Sequence, residues 1–295
     1  MATGEAAASG CSENRKPRND EIDVFGLTHR GKLREENQDH FLICSLRKQL
    51  DVAMTSLPDP GSIQEGTDRL AFLAMVADGV GGGPGGEEAS RRTLAGVTRY
   101  VTESMLAYYT ADSSDDEAFS KALSDAALRC AEDLRQRGEE NPEWRKMATT
   151  LSLWIGVWPR AYLLQVGDSR YYMLRRGKLT QVSRDQTVAQ DLVDQGVISR
   201  AAAPNLPWSN VLSSAIGGSA TTPVVTSMDN DWENVHLLCS DGLVKHVSDE
   251  RIEACLGSMT SARQACESLL EEALEAGGSD NISMIVARAV RRDLP

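Results

Sequence analysis

Five aspartates stand beside apolar runs in a way that could gather carboxylates at one place. Asp78 and Asp241 each end an apolar run and precede glycine, while Asp168 and Asp280 stand in similar turns before serine and asparagine. Asp39 precedes another apolar run. Taken singly, an aspartate followed by glycine after a strand is more often a turn residue than a ligand. Turns alone do not readily explain five such positions in one chain, and the pattern indicates carboxylates at the rim of a sheet.

Carboxylates gathered in this way would need cations. Two of them about 4 Å apart repel by roughly 4 kcal/mol at an effective dielectric constant of about 20, so five could not all stay ionised alone. Hard oxygen ligands select Mg²⁺ or Mn²⁺, whereas zinc prefers histidine and cysteine, and neither residue type shows metal-binding spacing. Two such ions activate a bridging hydroxide and clamp a phosphoryl group. The chemistry predicted is hydrolysis of a phosphate ester.

Periodic patterns indicate the elements that must position these residues. Runs rich in β-branched residues predict strands at about Ile22–Leu27, Phe41–Cys44, Leu70–Ala77, Thr150–Val157, Tyr162–Val166, Tyr171–Leu174, Val235–Cys239 and Ile282–Val290. Helical spacing of apolar residues predicts helices at about Glu87–Tyr109, Asp116–Arg137, Ser248–Leu256 and Ser261–Ala276. The middle strands are joined by turns too short for a crossover helix, which indicates an antiparallel meander. The predicted fold class is α+β, not a doubly wound parallel sheet.

Composition argues against some classes of binding partner and indicates the cellular compartment. The 295 residues carry 43 acidic and 31 basic side chains, a formal net charge of −12, which argues against a nucleic-acid partner. No run approaches the roughly 18 apolar residues of a membrane span, so we expect no membrane association. The six cysteines stand singly, as free cytosolic cysteines do, which predicts a cytoplasmic location.

One folded domain is the favoured organisation. Residues 1–20 are small and polar without an apolar signal core, so we expect a disordered tail there. No repeat or linker divides the chain afterwards, which predicts a single catalytic domain over residues 21–292, and we expect a monomer. Residues 47–68 are polar and irregular and predict a long surface loop.

In their order along the chain, these motifs resemble those of the metal-dependent protein serine/threonine phosphatases of type 2C, the PPM family, in its bacterial form. The resemblance covers about Ile22 to Arg288. The matching motifs are Gly31-x-x-Arg34-x-x-Asn37-Gln38-Asp39, Ala77-Asp78-Gly79, Gly85-Gly86-Glu87, Ala148-Thr149-Thr150, Gly167-Asp168-Ser169, Ser240-Asp241-Gly242 and Ser279-Asp280-Asn281. The resemblance implies a four-layer α-β-β-α sandwich, in which helices flank two antiparallel sheets and the metals lie in a cleft at one end.

The resemblance also implies which residues hold two Mn²⁺ or Mg²⁺ ions. Asp78 would bridge the two metals, and Asp241 and Asp280 would hold one of them. Asp39 and the carbonyl of Gly79 would serve the other, mostly through water molecules.

Two further matches have simpler alternatives. Asp168, together with Asp241, matches the family's ligand for a weaker third metal, but it could be only a turn residue. Arg34 matches the arginine that grips the substrate phosphate, a role suited to a planar bidentate donor, but it could be only an exposed charge.

The chain also departs from the family pattern. Gln38 stands where glutamate is usual, so a neutral amide in place of a carboxylate would accept a hydrogen bond from metal-bound water, and a lower metal affinity is expected. Val80 and Gly83 stand where relatives carry histidines, and no protein general acid can be named. Residues 187–213 match the mobile flap beside the site in that family. Because their motifs also differ from the family pattern, the resemblance does not indicate which substrates this segment selects.

The resemblance implies an enzyme that hydrolyses phosphoserine and phosphothreonine by attack of a metal-bridging hydroxide. Its partners would be phosphorylated proteins, with Ser/Thr kinases and their substrates among them. The alternative is a pseudophosphatase, a binding or regulatory module that keeps the fold, which Gln38 and the missing histidines motivate. A dinucleotide site at Gly81–Gly86 is rejected, because Asp78 would repel a pyrophosphate.

Overall fold

A computed structural model describes residues 15–47, 69–81, 84–110, 116–203 and 206–292. The predicted loop therefore lies almost wholly outside the described residues, as do residues 1–14 of the predicted tail.

Two antiparallel sheets of five strands each form the centre of the described structure. The first has the order β1 (Ile22–His29), β12 (Ile282–Ala289), β11 (Val235–Cys239), β8 (Arg170–Arg175) and β9 (Lys178–Gln181). The second has the order β10 (Val224–Asp229), β7 (Arg160–Val166), β6 (Leu151–Val157), β3 (Arg69–Ala77) and β2 (His40–Arg47). A short ladder pairs β4 (Gly79–Val80) with β5 (Ala148–Thr149).

Helices cover the outer face of each sheet. The second sheet is covered by α1 (Pro84–Thr110) and α2 (Asp116–Glu140), and the first by α4 (Asp241–Val244), α5 (Asp249–Ser258) and α6 (Ala262–Glu275). A short helix, α3 (Val188–Asp194), lies in the segment predicted to be a flap. The predicted α+β sandwich with four layers, helix on sheet on sheet on helix, is confirmed.

Three apolar cores hold these layers together. Between the sheets, Trp154 and Leu163 of the second sheet share a core with Tyr171, Leu238 and Ile285 of the first. The other two cores join each sheet to its helices. β6 and β7 are buried along almost their whole length because both of their faces are covered, which explains their nearly continuous apolar sequences.

Polar residues before β1 pack against the domain. Glu21 is fully buried and accepts hydrogen bonds from the Arg15 guanidinium at 2.6 and 2.5 Å. The Arg69 guanidinium donates to the Pro17 carbonyl and to Asn19 Oδ1, both at 2.7 Å. Residues 15–20, which belong to the segment predicted as a tail, therefore contact the folded domain. None of the helices in the described ranges combines the length and apolarity needed to cross a membrane.

Candidate active site

The predicted site residues meet in a cleft at one end of the two sheets. Its cavity has a volume of about 550 Å³, and its walls include seven of the eight predicted residues, namely Arg34, Gln38, Asp78, Gly79, Asp168, Asp241 and Asp280. The eighth, Asp39, lies beneath this cavity and is 2% exposed. Positions separated by as many as 246 residues in sequence are thus brought to one place.

Asp78 follows the end of β3 and is fixed by the motif Ala148-Thr149-Thr150. The Asp78 amide donates to Thr150 Oγ1 at 3.0 Å, and its carbonyl accepts from the Thr150 amide at 2.9 Å and from Thr149 Oγ1 at 2.8 Å. Thr150 Oγ1 also pairs with Ser169 Oγ at 2.7 Å, which links Asp78 to the turn that carries Asp168. The two threonines therefore hold the backbone of one predicted ligand and the turn of another.

Asp39 and Asp241 are joined through Ser240. Ser240 Oγ donates to Asp39 Oδ2 at 2.7 Å and accepts from the Ser283 amide at 2.9 Å. Ser240 also precedes α4, so Asp241 begins that helix directly after strand β11. The residue after Asp241 must be glycine because it packs closely against the neighbouring turn. A Cβ on Gly242 would lie 1.9 Å from the Asn281 carbonyl oxygen.

Asn281 fixes the loop that carries Arg34. Its side-chain amide donates to the carbonyls of Arg30 and Glu36 at 3.0 and 2.9 Å, and its Oδ1 accepts from the Gln38 amide at 2.9 Å. Arg34 is thereby held where its Nε lies 2.8 Å from Asp280 Oδ1 and its Nη2 lies 3.0 Å from Asp280 Oδ2. The arginine predicted to bind phosphate is paired with a predicted metal ligand.

Lys245 is a second cation at the same carboxylates. Its Nζ lies 2.6 Å from Asp241 Oδ2 and 2.7 Å from Asp280 Oδ2. Lys245 is not among the residues predicted from the sequence. The available signal was its position four residues after Asp241 in a helical turn, a spacing that places two side chains on one face.

Burial and mutual repulsion raise the pKa values of the aspartates in the cleft. Burial raises the pKa of Asp39 to about 6 and that of Asp168 to about 7, in both cases with a contribution from Asp241. Burial, followed by the surrounding carboxylates, raises the pKa of Asp78 well above its usual range. Asp280 differs: although its burial acts in the opposite direction, hydrogen bonds from Arg34 and Lys245 lower its pKa.

The oxygen atoms of the cleft fit a divalent cation. Asp39 Oδ1 and Asp241 Oδ1 are buried and accept no hydrogen bond, an arrangement that is costly for a carboxylate unless a cation is present. Among the residues that the structure describes, no three acidic, histidine or cysteine side chains are already arranged around one ion position. Both oxygens of Asp280 instead accept hydrogen bonds from Arg34. The donor chemistry therefore suits Mn²⁺ or Mg²⁺, but the ligand arrangement must adjust.

Gly79 and Gln38 lie where the first turn of α1 approaches the cleft. A Cβ on Gly79 would lie 2.3 Å from the Gly86 carbonyl oxygen, so only glycine allows this approach. The Gly79 amide donates to the Gln38 carbonyl at 3.3 Å, and Gln38 Oε1 lies against Gly86. Gln38 is thus placed beside the cleft, as its position next to Asp39 predicts.

The segment predicted to be a flap contributes Asn210 and Leu212 to the cavity wall. It is fastened beside Asp168, because the Gly167 amide donates to Gln186 Oε1 at 2.7 Å and Gln186 Nε2 donates to the Thr222 carbonyl at 2.9 Å. Thr187 then caps α3 by accepting from the Gln190 amide. Gln186 and Thr187 therefore anchor the segment, and neither lines the cavity.

Comparison with known proteins gives related sequences from bacteria. Serine/threonine protein phosphatase PstP of Mycobacterium tuberculosis is 35% identical over 226 residues, which cover 76% of this chain and 41% of PstP. The chain thus aligns with less than half of that relative. Serine/threonine phosphatase stp of Listeria monocytogenes is 27% identical over 271 residues, covering 90% of this chain and 94% of stp.

Solved structures of phosphatases also resemble this chain in fold. The M. tuberculosis phosphatase PstP/Ppp superposes with a TM-score of 0.73 at 28% identity, over 92% of this chain and 99% of that one. The catalytic domain of PstP in complex with two manganese ions gives a TM-score of 0.67 at 28% identity, over the same shares of the two chains. The protein phosphatase 2C family model matches residues 62–277, nearly three quarters of the sequence. This chain therefore belongs to the protein phosphatase 2C family.

Proposed function

We propose that this chain is a metal-dependent protein serine/threonine phosphatase that hydrolyses phosphoserine and phosphothreonine esters. The observation that carries the proposal is the convergence of five aspartates on one cleft, two of which keep buried oxygens without a hydrogen-bond donor. The relatives named as serine/threonine phosphatases support the same activity.

The resident metal ions would be two Mn²⁺ or Mg²⁺. Asp241 and Asp280 would hold one of them and Asp39 and the Gly79 carbonyl the other, and Asp78 would serve both. When bound, such a pair supplies water activation and clamps the phosphoryl oxygens. The structure of the PstP catalytic domain in complex with two manganese ions supports the kind and number of the metal ions. Asp168 remains the candidate for a weaker third site.

The residues of the chain itself would bind and orient the substrate. Arg34 stands at the cavity wall with a side chain that is 52% exposed, so its guanidinium can present two parallel donors to a phosphate. Asn210 and Leu212, from the segment predicted to be a flap, also line the cavity and would contact the residues that flank the phosphorylated one. Thr150 and Ser240 hold Asp78 and Asp39 in place by hydrogen bonds.

The partners in this proposal are phosphorylated proteins, including Ser/Thr kinases and the substrates of those kinases. A cytoplasmic location is part of the same proposal, and it is supported by the five described cysteines, all of which are free thiols.

Phosphate release from a phosphothreonine peptide tests the proposal. We expect turnover with Mn²⁺, none with EDTA, and a loss of at least a hundredfold in Asp241→Asn. Asp125→Asn, which changes an exposed aspartate of α2, is the matched control and should retain activity. If wild type shows no Mn²⁺-dependent turnover above that of Asp241→Asn, the proposal is wrong and the pseudophosphatase alternative is favoured.

A further inference from the structure

Lys245 places a cation of the chain itself among the predicted metal ligands. Its ammonium lies 2.6 Å from Asp241 Oδ2 and 2.7 Å from Asp280 Oδ2, and its side chain is 27% exposed. The residue lies directly after α4, whose first residue is Asp241, so the short helix directs the lysine into the cleft. This contact is therefore built into the fold and differs from an ion pair between mobile surface side chains.

The hydrogen bonds of the two carboxylates leave little room for another cation. Asp280 Oδ1 accepts from Arg34 and from the Asn281 amide at 2.9 Å, while Asp280 Oδ2 accepts from Arg34 and from Lys245. Asp241 Oδ2 accepts from Lys245, and only Asp241 Oδ1 lacks a donor. An ion that coordinates both aspartates must therefore displace a cationic side chain, Lys245 or Arg34, from Asp280, and Lys245 is the one that also contacts Asp241.

We infer that Lys245 is a tethered competitor of the divalent ion, one that stabilises the cleft before the metal binds and lowers the affinity of Asp241 and Asp280 for that metal. The inference rests on the metal site of the proposed function. The physical reason is electrostatic. A positive charge near a partly buried ion site offsets the repulsion between carboxylates, but it repels any cation that approaches the same oxygens.

Two opposite changes in one variant form the signature of this role. Lys245→Met keeps an unbranched side chain that is one atom shorter and removes the charge. We expect Mn²⁺ binding measured by isothermal titration calorimetry to tighten on the order of tenfold, and the thermal unfolding midpoint in EDTA to fall. A lysine with only a structural role would lower the midpoint without tightening the binding of Mn²⁺.

Matched variants separate the charge from the substitution. Lys245→Arg retains the cation and should keep weak Mn²⁺ binding, whereas Lys245→Gln is a second neutral variant in case Lys245→Met does not fold. Lys121→Met removes a comparable lysine, which pairs with Asp125 at 2.9 Å across four residues of an exposed helix face, and it should leave Mn²⁺ affinity unchanged.

The titration distinguishes failure of this inference from failure of the proposed function. Unchanged or weaker Mn²⁺ binding in both neutral variants, with normal binding in wild type, would overturn the role of Lys245 alone. Absence of Mn²⁺ binding in wild type and in both neutral variants would overturn the metal site itself and the inference with it.

Discussion

Arg34 is the residue on which phosphate recognition depends in the proposed function. Its guanidinium forms two hydrogen bonds with Asp280 and stands half-exposed at the cavity wall. The remaining N–H groups of the guanidinium can hold a phosphate in a similar way, because a carboxylate and a phosphate present oxygens at similar spacing. The residue therefore has one partner within the protein and one predicted partner in the substrate.

Replacing Arg34 by alanine should weaken substrate binding more than the chemical step. A hydrogen bond to a charged group contributes about 2 kcal/mol, so we expect kcat/KM for a phosphothreonine peptide to fall roughly thirtyfold, mainly through KM. Steady-state kinetics at saturating Mn²⁺ measure this effect. Arg30→Ala, an exposed arginine of the same loop, is the control, and equal losses in the two variants would argue against a specific role.

Gln38 provides a second test at the level of a single residue. Gln38→Glu adds a carboxylate beside Asp39 and the first turn of α1. The additional negative charge should attract a divalent ion, so the Mn²⁺ concentration that gives half-maximal activity should fall severalfold. Gln195→Glu, an exposed change at the end of α3, should have little effect. An unchanged or increased Mn²⁺ requirement in Gln38→Glu would show that this side chain does not influence the metals.

At the scale of secondary-structure elements, Thr150 connects three strands at the cleft. Its hydroxyl accepts from the Asp78 amide and pairs with Ser169, so it joins the end of β3 to the turn between β7 and β8. Thr150→Val keeps the shape but leaves a backbone amide without its acceptor. We expect a loss of about 1 to 3 kcal/mol in unfolding free energy and reduced activity, measured by urea denaturation and phosphate release. Thr180→Val on the exposed strand β9 should change neither quantity appreciably.

His236 of β11, which does not line the cleft, should make the stability of the fold sensitive to pH. Its ring stacks on Tyr171 and forms a hydrogen bond of 2.8 Å with the Tyr171 hydroxyl. Burial lowers the pKa of His236 from 6.5 to about 4. The unfolded chain then binds a proton near pH 6.5 that the folded chain does not bind until about pH 4. The stability that depends on this neutral imidazole is therefore complete above pH 6.5 and is lost as the pH falls through 6.5 towards 4.

Linkage gives the size of the effect of His236. Between pH 7.5 and pH 5 the unfolding free energy should decrease by about 2 kcal/mol because of this one group. Denaturation of wild type and His236→Gln at both pH values measures the difference in slope. Tyr171→Phe retains the buried imidazole and should keep the wild-type slope, and equal slopes in wild type and His236→Gln would contradict the assignment.

At the scale of the whole molecule, metal binding should stabilise the fold. The chain has a net charge of −12, and the two predicted ions would bring it to about −8. An ion that binds only the folded state adds about 2.7 kcal/mol per site at a concentration one hundred times its dissociation constant. The unfolding midpoint should therefore rise with Mn²⁺ concentration and return to its lower value with EDTA. Differential scanning calorimetry at fixed ionic strength measures this rise, and Asp241→Asn should reduce it.

Local patterns in the sequence determined much of the architecture. β11 was predicted over the range that the structure gives it, Val235–Cys239, because a short apolar run ending in a turn has few alternatives. The four long helices were predicted within three residues at either end, since their apolar spacing continues over several turns. β9 and β10 were missed, because both have exposed residues and lie at the edges of their sheets, where burial imposes no strong pattern.

The sequence by itself also determined which residues meet in the cleft, since ordered motifs at strand ends identify the aspartates and Arg34. Only the tertiary structure decided how each carboxylate is satisfied. Lys245 reaches Asp280 across 35 residues of sequence, and Arg34 reaches it across 246. No local pattern encodes such a pairing, because the partner of a carboxylate depends on which side chains the folded layers bring within hydrogen-bonding distance of it.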